Sequence, residues 1–291
     1  MKGTFREHPE HRHVALRERL LGEGAAALPH PPRIRRCDSA SSPDELADTA
    51  AAELAQRGLA VLELDRALQD DTYLNFGRRL GTPVVEQAPA VAPYVGHSAI
   101  LSIKGEHAAT ADTDLQPFAA NWLTLHTEAS RAPCHLQPRY ISLLCVNPGL
   151  QRQAAPTVLV PIPPLLQALP ARTRELLGGT RYDLPGAPWL IRRDGPATTL
   201  SIRDFHGDPL HWVHDGPADH PAEVNAALAA LYAAMYSTAG TCAVTWRAGL
   251  LVVIDNARYL HGRRASTDQG PRRQPVRHLK RLRIRTVAQE G

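Results

Sequence analysis

Apolar and polar positions change their rhythm along the chain near residue 94. Ahead of that point, Leu46, Ala50 and Leu54 recur every four residues between Ser42 and Gly58. Ser42 suits an N-cap, Pro43 the first helical position, Asp44 and Glu45 the first turn, and Gly58 the stop, so a helix is predicted there. GLAVLELD then alternates like a strand, and LQDDTYLNFGRRLG reads as a second helix closed by Gly81. From about Tyr94 onward the runs shorten. HSAILSI, NWLTLHT, RYISLLCV, PTVLVPI, TCAVTW and LLVVID are strand candidates separated by Pro, Gly and Asp. Helical pieces interrupt them at PLLQALPARTRELLG and AEVNAALAALYAAMY.

Many short strands in one region favour a sandwich or barrel over a doubly wound parallel sheet, which would need a helix between nearly every strand pair. The expected class is α+β, with an α/β opening before the strand-rich part. Residues 1–36, polar and ending in HPPRIRR, read as an N-terminal arm or partly wrapped extension. Residues 37–291 read as a single domain with its core over about 94–287. With 291 residues, 43% of them hydrophobic, the chain can bury a large core. No apolar run nears the roughly 18 residues of a membrane span, and MKGTFREHPEHRH is charged where a signal peptide would be apolar. The expectation is a cytoplasmic protein with no membrane partner. Cys37, Cys134, Cys145 and Cys242 form no C-x-x-C pair and are expected as free thiols.

The net charge of +4 is unevenly placed. Gly262 to Arg285 holds nine Lys or Arg residues against one acid, Asp268. Either this is an arginine-rich arm for nucleic acid, or its arginines serve a site inside the fold. Leu279, Leu282 and Ile284 are interleaved with the cations in RHLKRLRIR, as in a strand, which weighs against a polar arm and against a nucleic-acid partner.

In NWLTLHTEAS, residues two apart on a strand share a face, so Trp122, Thr124, His126 and Glu128 point one way and Leu123 and Leu125 the other. An imidazole and a carboxylate presented together suit a divalent metal. His8-Pro9-Glu10 and His206-Gly207-Asp208 repeat the triplet, but in the arm and in a Gly/Pro-flanked loop, with no rigid strand behind them. The best third ligand is His261, delivered after the buried run Leu250 to Ile254 by a break at Asp255-Asn256. Two His and one carboxylate leaving open positions is the ligand set of non-haem Fe(II) oxygenases. A zinc-binding or inactive scaffold is the competing reading. An oxygenase using a 2-oxo acid also needs a cation for its far carboxylate, and Arg277 and Arg281, four apart on a strand-like run, share one face.

HTE after an apolar strand, RYISLLCVNPG, the APT triplet, LLVVIDNARYLHGRR and the closing RHLKRLRIRT together resemble the clavaminate synthase-like, TauD-type group of Fe(II)/2-oxoglutarate oxygenases. That group includes arginine, asparagine and lysine hydroxylases of natural-product pathways. The resemblance implies a double-stranded β-helix (jelly-roll, cupin-like) core with flanking helices. It implies that His126, Glu128 and His261 are the catalytic iron ligands, that Arg281 grips the distal carboxylate of 2-oxoglutarate, that Thr157 in APT donates to that carboxylate, and that Arg277 lies near it. Fe(II), 2-oxoglutarate and O2 are the implied cofactors. Retention of the acid at Glu128 argues against a halogenase. Hydroxylation of a small amino acid or amino-acid-derived metabolite, in antibiotic or other natural-product biosynthesis, is the implied activity; desaturation, cyclisation or epoxidation share its chemistry.

The resemblance places a lid insert at about 185–220, around RDFHGDPLHWVHDG. Arginine hydroxylases hold the guanidinium there with two acids two residues apart. This chain has Asp215 but Pro217, so Asp215 alone could bind an amine or amide, or could cap a turn. Trp212 could close over the site or pack in the core.

Overall fold

The helix starting at Ser42 carries a complete capping box. The Ser42 hydroxyl accepts from the Glu45 N–H at 3.2 Å, and the Glu45 carboxylate accepts from the Ser42 N–H at 2.9 Å. Gly58 ends it in the left-handed conformation, at φ 72°. The computed structural model describes residues 1–22, 28–105, 115–119, 121–149, 155–195, 197–218, 220–265 and 277–286. Helices and strands alternate only as far as the helix Asp70–Leu80; beyond it the strands come in runs. The strands are β1 (Lys2–Phe5), β2 (Arg35–Arg36), β3 (Leu59–Glu63), β4 (Thr82–Pro83), β5 (Val95–Gly96), β6 (Ile100–Lys104), β7 (Leu123–His126), β8 (Tyr140–Asn147), β9 (Thr157–Pro161), β10 (Thr180–Tyr182), β11 (Ile191–Asp194), β12 (Ala197–Leu200), β13 (Leu210–His214), β14 (Cys242–Val244), β15 (Leu250–Asp255), β16 (Tyr259–Arg263) and β17 (His278–Arg285). The helices are α1 (Arg12–Leu21), α2 (Pro43–Arg57), α3 (Asp70–Leu80), α4 (Ile162–Ala168), α5 (Ala171–Gly178) and α6 (Pro221–Met235).

Two sheets position the site. The larger runs β2-β3-β15-β8-β17-β6-β5 with β4 also on β17; the smaller runs β14-β9-β16-β7. Because side chains alternate along a strand, each sheet serves two cores. On the large sheet, Leu62, Leu144, Leu251 and Leu282 pack under α2 and α3. Their neighbours Val61, Leu143, Val252 and Leu279 turn the other way and meet Leu159 and Val244 of the small sheet. On the outer face of the small sheet, Leu125, Val158, Val160 and Leu260 pack with the helical layer of α1, α4, α5 and α6. A strand apolar on both faces reads as a continuous run, which is why LLVVID is wholly buried.

The alternation also decides where the cations go. Odd-numbered residues of β17 face the small sheet with Leu279, so Arg281 and Arg283 enter the space between the sheets while Leu282 and Ile284 face the helices. The strand-like basic run is thus an interior strand of the large sheet; residues 266–276 of the basic segment lie outside the described residues.

The N-terminal segment is tied to β13, within the stretch where a lid is expected. β1 pairs antiparallel with β13, Gly3 opposite Trp212. Arg17 of α1, 2% exposed, donates to Glu7 and to both carboxylate oxygens of Asp204. The helical piece foreseen over PLLQALPARTRELLG is two helices, because Leu169, the residue before Pro170, is extended. No helix among the described residues is long and apolar enough to cross a membrane.

Candidate metal centre

Strand register brings the two histidines together. β16 pairs antiparallel with β7 with His261 directly opposite His126, and directly opposed residues present their side chains on one face. Their ring centroids are 4.2 Å apart. That face looks into the space between the sheets, since Leu159, opposite His261 on its other side, packs with the large sheet. His126 donates from Nδ1 to the Thr124 carbonyl at 2.7 Å, which leaves Nε2 unprotonated and directed at Glu128.

Glu128 lies two residues beyond the end of β7, so the strand alone does not orient it. Asn256 does. Its Oδ1 accepts from the Glu128 N–H at 2.8 Å, and its Nδ2 donates to the carbonyls of Glu128 (3.1 Å) and Pro138 (3.0 Å). The two carboxylate oxygens divide their partners. Oε2 faces the Nε2 atoms of His261 and His126, at 3.6 and 3.9 Å, and Oε1 accepts from Arg281 at 3.2 Å. The ligand atoms of His126, Glu128 and His261 all lie within 4.8 Å of one another, and all three residues are buried. Among the described residues they form the one such cluster.

Electrostatics prepares these groups for a cation. Burial holds the His126 imidazole well below its usual pKa, and His261 and Arg203 add to the effect, so it is neutral. Burial alone would raise the Glu128 carboxyl. Arg281, then His261 and Arg283, outweigh burial and keep it ionised, well below the usual carboxylate range. Buried imidazoles beside a buried carboxylate cost folding free energy and fill no apolar space, so their clustering points to chemistry. A neutral imidazole and an ionised carboxylate with a second histidine fit a divalent first-row metal.

Around the cluster is a cavity of ≈ 350 Å³, in the range of small-molecule sites, roughly 300–1,000 Å³. Thr157 and Arg277 line it. The Trp246 indole donates to the Thr157 hydroxyl at 3.1 Å, so the hydroxyl hydrogen is left for a ligand in the cavity. Arg277 has no carboxylate partner among the described residues, and burial pushes its pKa down to about 10. Arg281 and Arg283 share Glu86, at 3.0 and 2.7 Å. Arg263 donates to the backbone carbonyls of Gln116, Pro117, Ala119 and Asn121 and so braces that turn.

Of the eight side chains singled out from the sequence, six line this cavity: His126, Glu128, His261, Thr157, Arg277 and Arg281. The other two do not. Trp212 lies on β13, fully buried against Gly3, its indole donating to Asn225 at 2.9 Å; it is a packing residue. Asp215 follows the same strand, is exposed, and pairs with Arg181 at 3.3 Å, outside the cavity. Sequence reasoning missed Asn256, Glu86, Arg131 and Arg203. Asn256 was seen only as a chain break, and the other three carry no local pattern that separates them from surface charge.

Residues 190–283 match the family model described as "Taurine catabolism dioxygenase TauD, TfdA family". No curated protein sequence matches the chain. Solved structures do. The PvcB protein from Pseudomonas aeruginosa superposes with TM-score 0.61 at 22% identity, covering 87% of this chain and 86% of that one. Asparagine oxygenase in complex with Fe(II), 2S,3S-3-hydroxyasparagine and succinate gives 0.59 at 18% identity, over 83% and 79%. The non-heme iron oxygenase OrfP in complex with Fe and alpha-ketoglutaric acid gives 0.61 at 18% identity, over 88% and 94%. Residues 190–283 are thus similar to the TauD/TfdA family, and over 83–88% of its length the chain shares the fold of these three proteins.

Proposed function

We propose that this protein is an Fe(II)- and 2-oxoglutarate-dependent oxygenase that hydroxylates an unactivated C–H bond of a small amino acid or amino-acid-derived metabolite in natural-product biosynthesis. The observation that carries this reading is the buried His126–Glu128–His261 cluster at the wall of a small-molecule cavity. The same reading takes the two facing sheets as a double-stranded β-helix, with residues 37–291 as one domain and residues 1–36 as an arm folded along its lid side.

His126, Glu128 and His261 would hold the iron, with Thr124 fixing the tautomer of His126 and Asn256 the backbone of Glu128. Bound together, iron and 2-oxoglutarate activate O2 and supply the oxidising power for C–H cleavage, with succinate and CO2 as co-products. Among the arginines, Arg277 with Thr157 suits the distal carboxylate of 2-oxoglutarate better than Arg281 does. Arg277 donates only a long 3.5 Å bond, to the Pro117 carbonyl, and has no carboxylate partner among the described residues, and Thr157 lines the same cavity with a hydroxyl hydrogen to donate, whereas Arg281 is held by Glu128 and Glu86. Arg281 would then keep Glu128 ionised and its Oε1 occupied, so that Oε2 alone faces the metal position. Ile103, Ile141, Leu143 and Leu279 line the cavity beside these groups and exclude water, so every charged contact in it is worth more than at the surface.

Succinate formation is the test. It should require Fe(II), 2-oxoglutarate and O2 together and should be lost in His261→Ala. Iron-independent turnover, or full turnover by His261→Ala, would overturn the reading.

A further inference from the structure

The cavity wall is lopsided in charge. Six arginines line it (Arg131, Arg203, Arg263, Arg277, Arg281 and Arg283) against two carboxylates, Glu86 and Glu128. Fe(II) and the 2-oxoglutarate dianion would cancel each other, so cofactor binding leaves that excess in place. Four of the six are already engaged. Arg263 is spent on backbone carbonyls, Arg281 and Arg283 on the two glutamates, and Arg277 is assigned above to the cosubstrate.

Arg203 and Arg131 remain. Arg203 forms an isolated antiparallel bridge with His126, so its side chain leaves the backbone on the same face as the imidazole of the metal ligand. Its guanidinium donates to the Gln116 side chain and has no carboxylate partner among the described residues. Arg131, three residues past Glu128 and exposed, lies over the Phe205 ring with its Cζ 5.4 Å from the centroid. It too has no carboxylate partner among the described residues. An anion between these two would stand next to the metal ligands, where a C–H bond must be presented.

A cationic group would fare badly in the same place. Both oxygens of Glu86 are taken by Arg281 and Arg283, and Glu128 by Arg281 and the metal position. The nearby Asp204 is consumed by Arg17 and Tyr236, and Asp215 is outside the cavity. An ammonium or guanidinium would be desolvated among arginines with no carboxylate to receive it.

We propose that Arg203, with Arg131 at the mouth, binds the carboxylate of an acidic substrate that carries no ammonium or guanidinium group, such as an amino acid whose nitrogen is acylated or otherwise uncharged. This narrows the oxygenase reading and rests on it. The substrate side of the cavity selects by charge, and the arginines that do so are distinct from Arg277, which faces 2-oxoglutarate.

The test uses the full chain loaded anaerobically with Fe(II) and 2-oxoglutarate, first checked for the visible absorption band of the chelate. The probes are a panel of N-acetyl amino acids of graded side-chain size, the matching free amino acids, and the matching N-acetyl amino-acid amides. At least one N-acetyl acid should shift the band with an affinity at least about tenfold above its amide and its free amino acid. Arg203→Gln should weaken that acid by roughly ten- to a hundredfold, the weight of one charge-assisted contact, and bring the acid-to-amide ratio near unity. Its 2-oxoglutarate titration should stay unchanged, which shows the site intact, and Arg203→Lys should keep most of the ratio. Free amino acids or amides binding as well as the acids, no acid shifting an established band, or an unchanged ratio in Arg203→Gln would each overturn the proposal. Failure of the band itself would instead strike the oxygenase reading, and the proposal with it.

Discussion

Asn256 offers the sharpest perturbation of the proposed metal centre because it is not itself a proposed ligand and still holds the backbone of one, Glu128. Asn256→Ala removes three hydrogen bonds, at 2.8, 3.1 and 3.0 Å. It leaves the Glu128 N–H and the carbonyls of Glu128 and Pro138 buried without those partners. Each orphaned buried group costs about 1–3 kcal/mol, and water entering the space of the lost amide recovers part of that, so about 2–4 kcal/mol of stability should go. For a chain of this size, at about 2 °C per kcal/mol, Tm should fall by about 4–8 °C. Glu128 lies beyond the end of β7, so its carboxylate also loses its fixed aim. Residues that orient metal ligands typically contribute about 10- to 100-fold in metal affinity, and that is the loss expected here. Anaerobic Fe(II) titration measures it, with thermal unfolding run on the same apo-protein. Asn225→Ala is the control. It loses contacts to the Trp212 indole and the Thr4 carbonyl, outside the cavity lining, and should lower Tm while leaving iron affinity alone. Asn256→Ala binding Fe(II) as tightly as wild type would refute the argument, whatever its Tm.

Other perturbations separate the remaining roles. His126→Ala and His261→Ala should each abolish Fe(II) binding with the fold retained, read by titration and circular dichroism. Arg277→Gln should raise the 2-oxoglutarate concentration needed for half-saturation by roughly ten- to a hundredfold with Fe(II) affinity unchanged; an effect confined to Arg281→Gln would reverse the assignment of the two arginines. Arg17→Met strands the buried carboxylate of Asp204 and the half-buried one of Glu7, and should cost about 3–5 kcal/mol in denaturant unfolding. Burial would raise the Glu7 carboxyl, but Arg17, then His13, outweigh burial and lower it. Its contribution to stability is therefore present above the ordinary carboxylate range and drains as pH falls through the lowered value, and Glu7→Gln should flatten that acid limb of the stability profile.

Where the sequence was legible, local physics sufficed. The Ser42 cap and Gly58 stop are decided by side chains within one turn of the helix ends, and β3, β8, β9 and β15 announce themselves by apolar runs between breakers. Of the proposed ligands, His126 and Glu128 were legible from their spacing after an apolar run, as Arg277 and Arg281 were from theirs, while His261 followed from the chain break after a buried strand and Thr157 from the family resemblance alone. What was not legible depends on partners far along the chain. HWVH reads as loop next to Gly and Pro, yet it is β13, held by β1 about two hundred residues earlier, and that pairing buries Trp212 against Gly3. β16 was hidden because LHGRR looks polar; His261 and Arg263 are buried there because they face the cavity and not solvent. Asn256 reads as a turn residue until its amide is seen against the backbone of Glu128.

The measurement that tests the central claim most directly is an anaerobic absorption titration of the apo-protein with Fe(II) and 2-oxoglutarate, added singly and together. The account requires a weak visible band only when both are present, lost in His261→Ala and reached only at much higher 2-oxoglutarate in Arg277→Gln. A wild-type protein that binds Fe(II) with no such band, or a band that survives His261→Ala, would contradict it.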